Sequence, residues 1–384
     1  MNEQNGGNLI GLGSFGCVFH PAIKCSGQKN IHGDMVSKVF FSEESKKEAE
    51  EEIKIDKLVK SIKGYEQWSH IWEKNCLPKK YEELIKEDKD IKHCLLENGV
   101  EIDEFNKYRR MLQGIYAGKD LSSVFNGLFN NATFSNKAKF TNNFLHMIKL
   151  MKPLFIGLIS MNKGKISHND IKPDNIMVDK EGCKFIDFGL AAKHSNDKFY
   201  KQRSMSEFLS DRIYPSYPYE FIYMYATKEV IDDEKSDKEY DIYRDLHDRY
   251  EIVHETIFQR KKLKEYLLGL INYHLNHNLE KDKNEIISKL DTYSVGVLLP
   301  GMLARMAKKC GKLNKLKSYC NLDNVKPFIE LFKDMSDPDH HERIPPTEAY
   351  RRYNELEILY LTKTKTSKKS AKKSVKKTRR VRKA

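Results

Sequence analysis

The sequence contains no C-x-x-C cysteine pair and no long apolar run, and each absence argues against a class of protein. Its seven cysteines are an odd number at scattered positions, a pattern that fits neither a zinc site nor a disulfide-built secreted domain. We therefore expect free thiols in a reducing compartment. No apolar run approaches the roughly 18 residues that a membrane-spanning helix needs, so no membrane contact is predicted.

The first ten residues, MNEQNGGNLI, lack the basic start and the apolar stretch of a secretory signal. The expected location is therefore intracellular, in the cytoplasm or the nucleus, and not secreted. With 384 residues, 39% of them hydrophobic and 32% charged, the chain can bury the core of one large domain or of two medium ones. Nothing in the sequence indicates an oligomeric state.

Positive charge is concentrated at the end of the chain. Residues 362–384 hold twelve Lys and Arg and no acidic residue, which accounts for nearly all of the net charge of +13. With so few apolar side chains this segment is predicted to be a disordered basic tail. It is either a solubilising end or a binding element for nucleic acid, an acidic protein surface or a nuclear import receptor.

The N-terminal part, residues 1–115, is predicted to be small and rich in β-structure. NLIGLGSFGCVFHPAI has the pattern of a hairpin and Asp34–Phe41 that of a strand. Ser42 then precedes a charged helix whose apolar side carries Ile53, Ile55, Leu58, Val59 and Ile62. Residues 63–109 show no clear pattern beyond a helix in YEELIKEDKDIKHCLLE, and we interpret them as an insertion. YRRMLQGIYAGKDLSSVF then predicts a strand, a turn and a helix.

Residues 116–361 are predicted to form a second, mainly helical part. NFLHMIKLMKPLFIGLISMNKGK and LDTYSVGVLLPGMLARM are strongly apolar helical stretches. A charged second insertion covers about residues 223–289. The predicted fold class is therefore α+β, with a small β-rich N-terminal part, a large helical part and the basic tail.

The segment GLGSFGCV has the spacing G-x-G-x-x-G, which alone is a weak signal. In dinucleotide-binding folds a helix follows these glycines, whereas here a strand follows. Glycines in such a hairpin let the backbone approach phosphate oxygens closely, although a plain glycine hairpin would have the same pattern. The candidate nucleotide-binding residues are Ile10, Gly11, Leu12, Gly13, Ser14, Phe15, Gly16, Cys17 and Val18.

Phosphoryl transfer also needs a lysine on the phosphates, metal ligands and a group that orients the attacking hydroxyl. Lys38 lies between apolar residues of the predicted strand and needs an acidic partner. Glu52 on the following helix is the expected partner, with Glu48 and Glu50 as the alternatives.

The stretch ISHNDIKPDNIMV holds four polar residues that fit these remaining roles. Asp170 would orient the attacking hydroxyl and accept its proton, and Lys172 would steady the transferred phosphate. Asn175 and, in FIDFGL, Asp187 would each hold a Mg²⁺ ion. Each residue alone is an ordinary turn residue, but the whole set in this order predicts phosphoryl transfer from ATP.

These motifs, in this order, resemble the eukaryotic protein kinase family over roughly residues 8–355. The loop Asp170-x-Lys172-Pro-x-Asn175 is similar to its serine/threonine form. The resemblance implies a bilobal kinase fold, ATP and Mg²⁺, and protein substrates with Ser or Thr hydroxyls. It also implies Asp120 near the ATP ribose, Asp291 bracing the catalytic loop, and an ion pair between Glu220 and Arg343. The glycine segment and the large insertions also resemble kinases of large DNA viruses, in which case the location would be the host cell or the virion.

Three departures from the family bear on regulation. Asn169 stands where most members have an arginine that clamps a phosphate on the activation segment, so control by phosphorylation there is not expected. SYPYE replaces Ala-Pro with Pro-Tyr before Glu220, which affects substrate docking. The insertions 63–109 and 223–289 are either sites for a regulator or surface elaborations.

Two other functions compete with an active protein kinase. A pseudokinase would bind nucleotide without transfer, but Lys38, Asp170, Asn175 and Asp187 are all present. A small-molecule kinase is disfavoured by the long segment from Asp187 to Glu220. The histidines at 274, 277, 340 and 341 offer no plausible set of four metal ligands and are interpreted as surface residues.

Overall fold

The computed structural model describes residues 7–13, 16–208, 216–225, 253–276 and 279–361. Ser14, Phe15, the predicted basic tail 362–384 and most of the first half of the second insertion lie outside the described residues. The chain divides into two compact units, which are described separately. Unit 1 contains Met1–Lys119, Met177–Asp179 and Lys184–Ala191, and unit 2 contains Asp120–Ile176, Lys180–Cys183 and Ala192–Ala384.

Unit 1 is built on an antiparallel five-stranded sheet in the order β1-β2-β3-β5-β4. The predicted hairpin and the two predicted strands after it are confirmed. In the register Val18 lies opposite Lys38, which lies opposite Leu112 on the next strand. The strands are β1 (Asn8–Gly13), β2 (Gly16–His20), β3 (Met35–Phe40), β4 (Lys74–Cys76) and β5 (Arg110–Ile115).

Helix α1 (Glu43–Lys60) begins where the sequence predicts, after the N-cap residue Ser42. Ser42 and Ser45 exchange side-chain and backbone hydrogen bonds in a capping box. The predicted apolar side is confirmed only in part, because Val59 is buried whereas Ile53 and Leu58 are half-buried. Glu52 and Asp56 are buried as well. The buried face of α1 is therefore partly polar.

Residues 63–109, interpreted from the sequence as an insertion, contribute strand β4 to the sheet and fold into three short helices beside it. The helices are α2 (Tyr81–Glu87), α3 (Asp90–Glu97) and α4 (Ile102–Tyr108). Leu84, Ile91 and Phe105 from these helices share one apolar core with Phe19 and Val39 of the sheet.

The expectation that all cysteines are free thiols is wrong for four of the seven. Cys17 is disulfide-bonded to Cys94, and Cys25 to Cys76. The partners are 77 and 51 residues apart in sequence and meet only because the insertion folds back onto the first strands. Cys183, Cys310 and Cys320 are free.

Unit 2 is mainly helical, as predicted. Its core includes the buried Tyr200, Phe221, Ile287 and Tyr293. The helices of its described residues are α5 (Leu121–Leu128), α6 (Asn131–Phe134), α7 (Lys137–Leu150), α8 (Lys152–Lys163), α9 (Asp197–Phe208), α10 (Tyr219–Tyr223), α11 (Leu263–Asn276), α12 (Lys283–Lys309), α13 (Leu313–Cys320), α14 (Lys326–Met335) and α15 (Pro346–Leu356).

Helices α7 and α8 form an apolar stretch, Lys137–Lys163, that is long enough to cross a membrane by length and composition. Within the described parts of the chain it is the one stretch that passes this test, and 56% of its most apolar window is buried. Pro153 lies in the first turn of α8, where its missing N–H costs no helical hydrogen bond. The burial agrees with the prediction of a core helix.

The long helix α12 forms the centre of unit 2 and packs against α14. At Gly296 a Cβ atom would come within 2.9 Å of the Met335 Cβ, so only glycine permits this close approach. The described residues also include five short strands outside the five-stranded sheet: β6 (Lys119–Asp120), β7 (Ile166–Ser167), β8 (Ile176–Val178), β9 (Cys183–Phe185) and β10 (Ala192–Lys193).

Candidate active site

Unit 1 contains a cleft of about 160 Å³ on one face of its sheet. The walls are largely apolar, and the charged side chains Lys38, Glu52 and Asp187 are grouped together. The lining residues are Ile10, Val18, Val36, Lys38, Glu52, His70, Ile71, Trp72, Gly114, Ile115, Tyr116, Ala117, Met177, Ile186 and Asp187.

The glycine-rich hairpin contributes Ile10 and Val18 to this cleft. A Cβ at Gly16 would lie 2.6 Å from the Val39 carbonyl oxygen, so glycine is required there for the hairpin to meet β3. Cys17 was predicted among the nucleotide-binding residues. Its side chain is fully buried and bonded to Cys94, because neighbouring strand residues point to opposite faces.

Lys38 and Glu52 form a direct ion pair in the cleft. The Lys38 Nζ donates to the Glu52 Oε2 over 2.9 Å and lies 4.0 Å from the Asp187 Oδ1, so the predicted pairing with Glu52 is confirmed. Burial alone would lower the pKa of Lys38, but Glu52 and Asp187 outweigh it and raise the pKa above its usual value. The cleft therefore presents a fixed cation, the charge that phosphate oxygens require.

Trp72 holds the other oxygen of Glu52 and was not singled out from the sequence. Its indole Nε1 donates to the Glu52 Oε1 over 2.6 Å. The two carboxylate oxygens are thus engaged separately, one by Lys38 and one by Trp72. A tryptophan in the irregular insertion gives no sequence signal of this contact.

Asp56, one turn after Glu52 on α1, anchors the same tryptophan through its backbone. Its Oδ2 accepts a hydrogen bond from the Trp72 backbone N at 3.2 Å. Burial, and after it the nearby charge of Glu52, raise the pKa of Asp56 to about 8. Both effects favour the protonated, uncharged form of the Asp56 carboxyl.

Replacement of Trp72 by phenylalanine tests this contact. Trp72→Phe keeps a ring in the cleft wall but removes the donor to Glu52, and a hydrogen bond to a charged group is worth ~1.5–3 kcal/mol. If this energy positions Lys38 during transfer, kcat falls by roughly 10- to 100-fold while the KM for ATP changes little. Steady-state kinetics with ATP as the varied substrate measure both constants.

Trp68→Phe is the matched control for this experiment. Trp68 is fully buried, and its indole nitrogen has no hydrogen-bond partner among the described residues. Its replacement is expected to lower stability while kcat, measured well below the unfolding temperature, is retained. Equal kcat values for Trp72→Phe and the wild type would show that Glu52 is held without the indole.

The catalytic-loop candidates are brought together in unit 2. Lys172 Nζ donates to the Asp170 Oδ2 over 2.9 Å, and Asn175 Nδ2 donates to the same oxygen over 2.7 Å. A second bond from Asn175 Nδ2, to the Asp170 backbone oxygen at 2.9 Å, closes the loop. These contacts fix the Asp170 carboxylate by two donors on one oxygen.

Asp291 on α12 braces the backbone of this loop. Its two carboxylate oxygens accept the backbone N–H groups of His168 and Asn169, at 2.7 and 3.1 Å, and the bracing role implied by the family resemblance is thus confirmed. Asn169 has a φ of 62°, in the left-handed region that Asn tolerates better than most residues. Asparagine at this position therefore tolerates the positive φ of the loop. It also lacks the charge that an arginine would bring.

Tyr217 binds the same loop from the end of the activation segment. Its hydroxyl donates to the Asn169 backbone oxygen, and the Arg203 Nε of α9 donates to the Tyr217 oxygen over 3.2 Å. Arg203 is also paired with Glu207 at 2.9 Å. The sequence predicts neither contact: Tyr217 lies in the SYPYE segment without an assigned role, and Arg203 belongs to no recognised motif.

The oxygen donors present in each unit fit a Mg²⁺ ion, which prefers carboxylate and amide oxygens. In unit 1 the Asp187 side chain is 43% exposed and faces the cleft. In unit 2 Asn175 uses its nitrogen for Asp170, which leaves the amide oxygen for a metal. Asp187 and Asn175 would therefore hold the ions.

Asp120, predicted near the ATP ribose, is the N-cap of α5. Its Oδ1 accepts the Ser123 backbone N–H at 2.7 Å and its Oδ2 accepts the Ser123 hydroxyl at 2.6 Å. Both oxygens thus serve local structure, and the ribose contact stays a prediction.

Glu220 and Arg343 form a fully buried ion pair of 2.6 Å in unit 2, as the resemblance implies. Arg343 Nε and Nη2 also donate to the Asp337 backbone oxygen, at 2.9 and 2.7 Å. The pair joins helix α10, directly after the activation segment, to the loop before α15.

Comparison with known proteins agrees with this fold. A profile of the protein kinase domain matches residues 5–379, whereas a search of curated sequences finds no significant match. Among solved structures the chain is similar to the ROP18 kinase domain in complex with AMP-PNP and sucrose, with a TM-score of 0.50 and 12% identity, over 94% of this chain and 81% of that one. Because the profile covers nearly the whole sequence, the chain belongs to the protein kinase family.

Proposed function

We propose that this protein is a serine/threonine kinase that transfers the γ-phosphate of Mg-ATP to protein hydroxyls and does so without phosphorylation of its activation segment. The observation that carries the proposal is the loop of unit 2, in which Lys172 and Asn175 both donate to the Asp170 carboxylate. Lys172 two residues after Asp170 is the feature that resembles the serine/threonine form of the family.

The residues of this chain supply the following chemistry. Lys38, held charged by Glu52, binds phosphate oxygens of ATP in the cleft of unit 1. Asp170 accepts the proton of the serine or threonine hydroxyl, whose oxygen bonds to the γ-phosphorus as the bond to the β–γ bridging oxygen breaks and ADP leaves. Lys172 neutralises charge on the transferred group. Bound Mg²⁺ would neutralise charge on the phosphates.

ATP as the nucleotide is supported by the family and by the cleft. The ROP18 kinase domain was solved with AMP-PNP, an ATP analogue. In this chain the cleft combines apolar walls for a flat base with the Lys38 cation for phosphate. A phosphorylation assay on a positional-scanning peptide library with radiolabelled ATP tests the proposal. Transfer to Ser or Thr peptides is expected, and transfer only to tyrosine, or to no peptide, would overturn it.

The hydrogen bonds of the activation segment support independence from phosphorylation. In place of a phosphate clamped by an arginine before Asp170, Arg203 of α9 reaches Tyr217, and Tyr217 reaches the Asn169 carbonyl. The Arg203 guanidinium also lies 5.4 Å from the centre of the Tyr217 ring, close enough for a cation–π contact. Unmodified side chains thus connect α9 to the catalytic loop. We name this pair of contacts, from Arg203 to Tyr217 and from Tyr217 to the Asn169 carbonyl, the Arg203–Tyr217 link.

Two measurements test the Arg203–Tyr217 link. Protein made in bacteria is expected to keep its kcat/KM on a peptide after complete phosphatase treatment, because no phosphate contributes to the link. Tyr217→Phe removes one donor to the catalytic loop and is expected to lower kcat about tenfold, in line with ~1–2 kcal/mol for a buried hydrogen bond.

Tyr273→Phe serves as the control because Tyr273 is 48% exposed on α11, and its kinetics are expected to equal those of the wild type. A large loss of activity on phosphatase treatment would contradict phosphorylation independence. A Tyr217→Phe variant with unchanged kcat would leave the link without a catalytic role.

A further inference from the structure

A cluster of histidines and carboxylates lies in unit 2 at the start of α12. Asp282, His340 and His341 each place a ligand atom within 4.8 Å of the others. The interpretation of His340 and His341 as surface residues is wrong for His340, which is fully buried. His274 is described only by its backbone and His277 lies outside the described residues.

The cluster is assembled by two separate segments. Asp282 is the N-cap of α12 and Glu285 lies one turn later, so both carboxylates lie on the same side of the helix end. The two histidines come from the loop that precedes Arg343. Such convergence of residues nearly 60 positions apart is invisible to a search for ligand spacing in sequence.

The distances suit a small metal ion. His340 Nε2 lies 3.7 Å from the Asp282 Oδ2, and the ligand atom of His341 lies within 4.8 Å of both. Beside these ligands, His341 Nδ1 lies 3.5 Å from the Glu285 Oε2. Ligand atoms about 2.0–2.2 Å from a tetrahedral zinc ion lie roughly 3.3–3.5 Å from one another. Asp282 and His341 are 37% and 47% exposed, so they can close the remaining gap of about 1 Å by side-chain rotation.

Lys289 orients Glu285 and the histidine loop of the cluster. Its Nζ donates to the Glu285 Oε1 and to the His340 backbone oxygen, both at 2.7 Å. These bonds turn the other Glu285 oxygen towards His341 and hold the histidine loop against α12. Such outer contacts tune the affinity of metal sites.

We propose that Asp282, His340 and His341 form a binding site for a zinc ion, with Glu285 as a neighbouring carboxylate that adds negative charge. Imidazole nitrogens favour Zn²⁺ over Mg²⁺, which prefers an all-oxygen shell. The site is separate from Asp170 and Asn175, and its ion would have no part in phosphoryl transfer. It would tie the start of α12 to the loop that carries Arg343 and so stabilise unit 2.

The proposal is tested by titrating the full chain with a Zn²⁺ salt and measuring the heat of binding by isothermal titration calorimetry. Excess Mg²⁺ is present throughout, so that sites that prefer Mg²⁺ are filled. One equivalent of Zn²⁺ is expected to bind, and saturating Zn²⁺ is expected to raise the unfolding temperature by ~2–5 °C, since a ligand of the native state stabilises it. Chelation with EDTA is expected to reverse the shift.

Variants of the exposed ligands locate the site without disturbing the core. His341→Ala and Asp282→Asn are expected to weaken Zn²⁺ binding at least tenfold, and Glu285→Gln only severalfold. His93→Ala is the matched control, because His93 is also exposed and lies 3.8 Å from the Glu97 carboxylate on α3. Cys310→Ser controls for binding by the half-buried free thiol.

The proposal is overturned if the chain binds no Zn²⁺ at micromolar concentration. It is also overturned if His341→Ala and Asp282→Asn bind as tightly as the wild type, or if Cys310→Ser abolishes binding.

Discussion

Asp170→Asn is expected to lower kcat for peptide phosphorylation by about 10²–10⁴-fold, the range of general acid–base catalysis, and to leave ATP affinity within about twofold. The amide has nearly the shape of the carboxylate but cannot take the proton of the attacking hydroxyl. Asp170→Ala is expected to act in the same way and also to leave Lys172 and Asn175 without their shared acceptor.

ATP affinity is expected to survive because the residues that line the cleft all belong to unit 1, and Asp170 does not. Lys38→Met is expected to behave differently, weakening ATP binding as well as rate, because it removes the cation of the cleft. Calorimetry with a non-hydrolysable ATP analogue measures affinity, and initial rates with radiolabelled ATP measure kcat.

Asp174→Asn is the matched control for the Asp170 variants. Asp174 is an exposed aspartate of the same loop, so its replacement makes an equal change of charge four residues away and is expected to leave kcat nearly unchanged. If Asp170→Asn transfers phosphate at a rate comparable to Asp174→Asn, Asp170 is not the proton acceptor and the assignment of the catalytic loop fails.

The sequence predicts those parts of the site that depend on local pattern. The pairing of Lys38 with Glu52 follows from a strand that carries a lysine among apolar residues and a helix that begins at a clear cap. The bracing by Asp291 follows from the family resemblance alone.

The parts that the sequence does not predict depend on irregular chain between these elements. Residues 63–109 have no sustained period, so nothing indicates that Cys94 returns to Cys17 or that Trp72 reaches Glu52. The sequence predicts the buried side of α1 only in part, because apolar residues normally face a core. Here the buried side also meets Trp72 and Lys38, and it includes Glu52 and Asp56.

The ion pair of Glu220 and Arg343 has the largest expected effect on stability. Both side chains are fully buried, with 2.6 Å between Arg343 Nη1 and Glu220 Oε1. Arg343→Met leaves the Glu220 carboxylate buried without its cation. Breaking a buried pair in this way costs ~3–5 kcal/mol, which urea unfolding followed by circular dichroism would measure.

Arg351→Met is the control, since Arg351 also pairs with two glutamates but is 57% exposed. Exposed ion pairs contribute ~0–1 kcal/mol, so this variant is expected to lose little stability. Equal losses in Arg343→Met and Arg351→Met would show that burial of the Glu220 pair does not set its strength.

The loss of folding stability caused by Arg343→Met is expected to grow as pH rises. Burial raises the pKa of Glu220 above its usual value even with Arg343 nearby, and the loss of Arg343 raises it further. An acid with a raised pKa in the folded state loses stability as pH rises from its unfolded pKa, about 4.3, towards its folded pKa, because the folded state there binds more protons. The loss of stability in Arg343→Met is therefore expected to be larger at pH 8 than at pH 5.

A double variant, Glu220→Leu with Arg343→Met, is expected to recover much of the stability and to lose this pH dependence. A deficit in Arg343→Met that is equal at both pH values would mean that its cost comes from the lost bonds to the Asp337 carbonyl and not from the unpaired carboxylate.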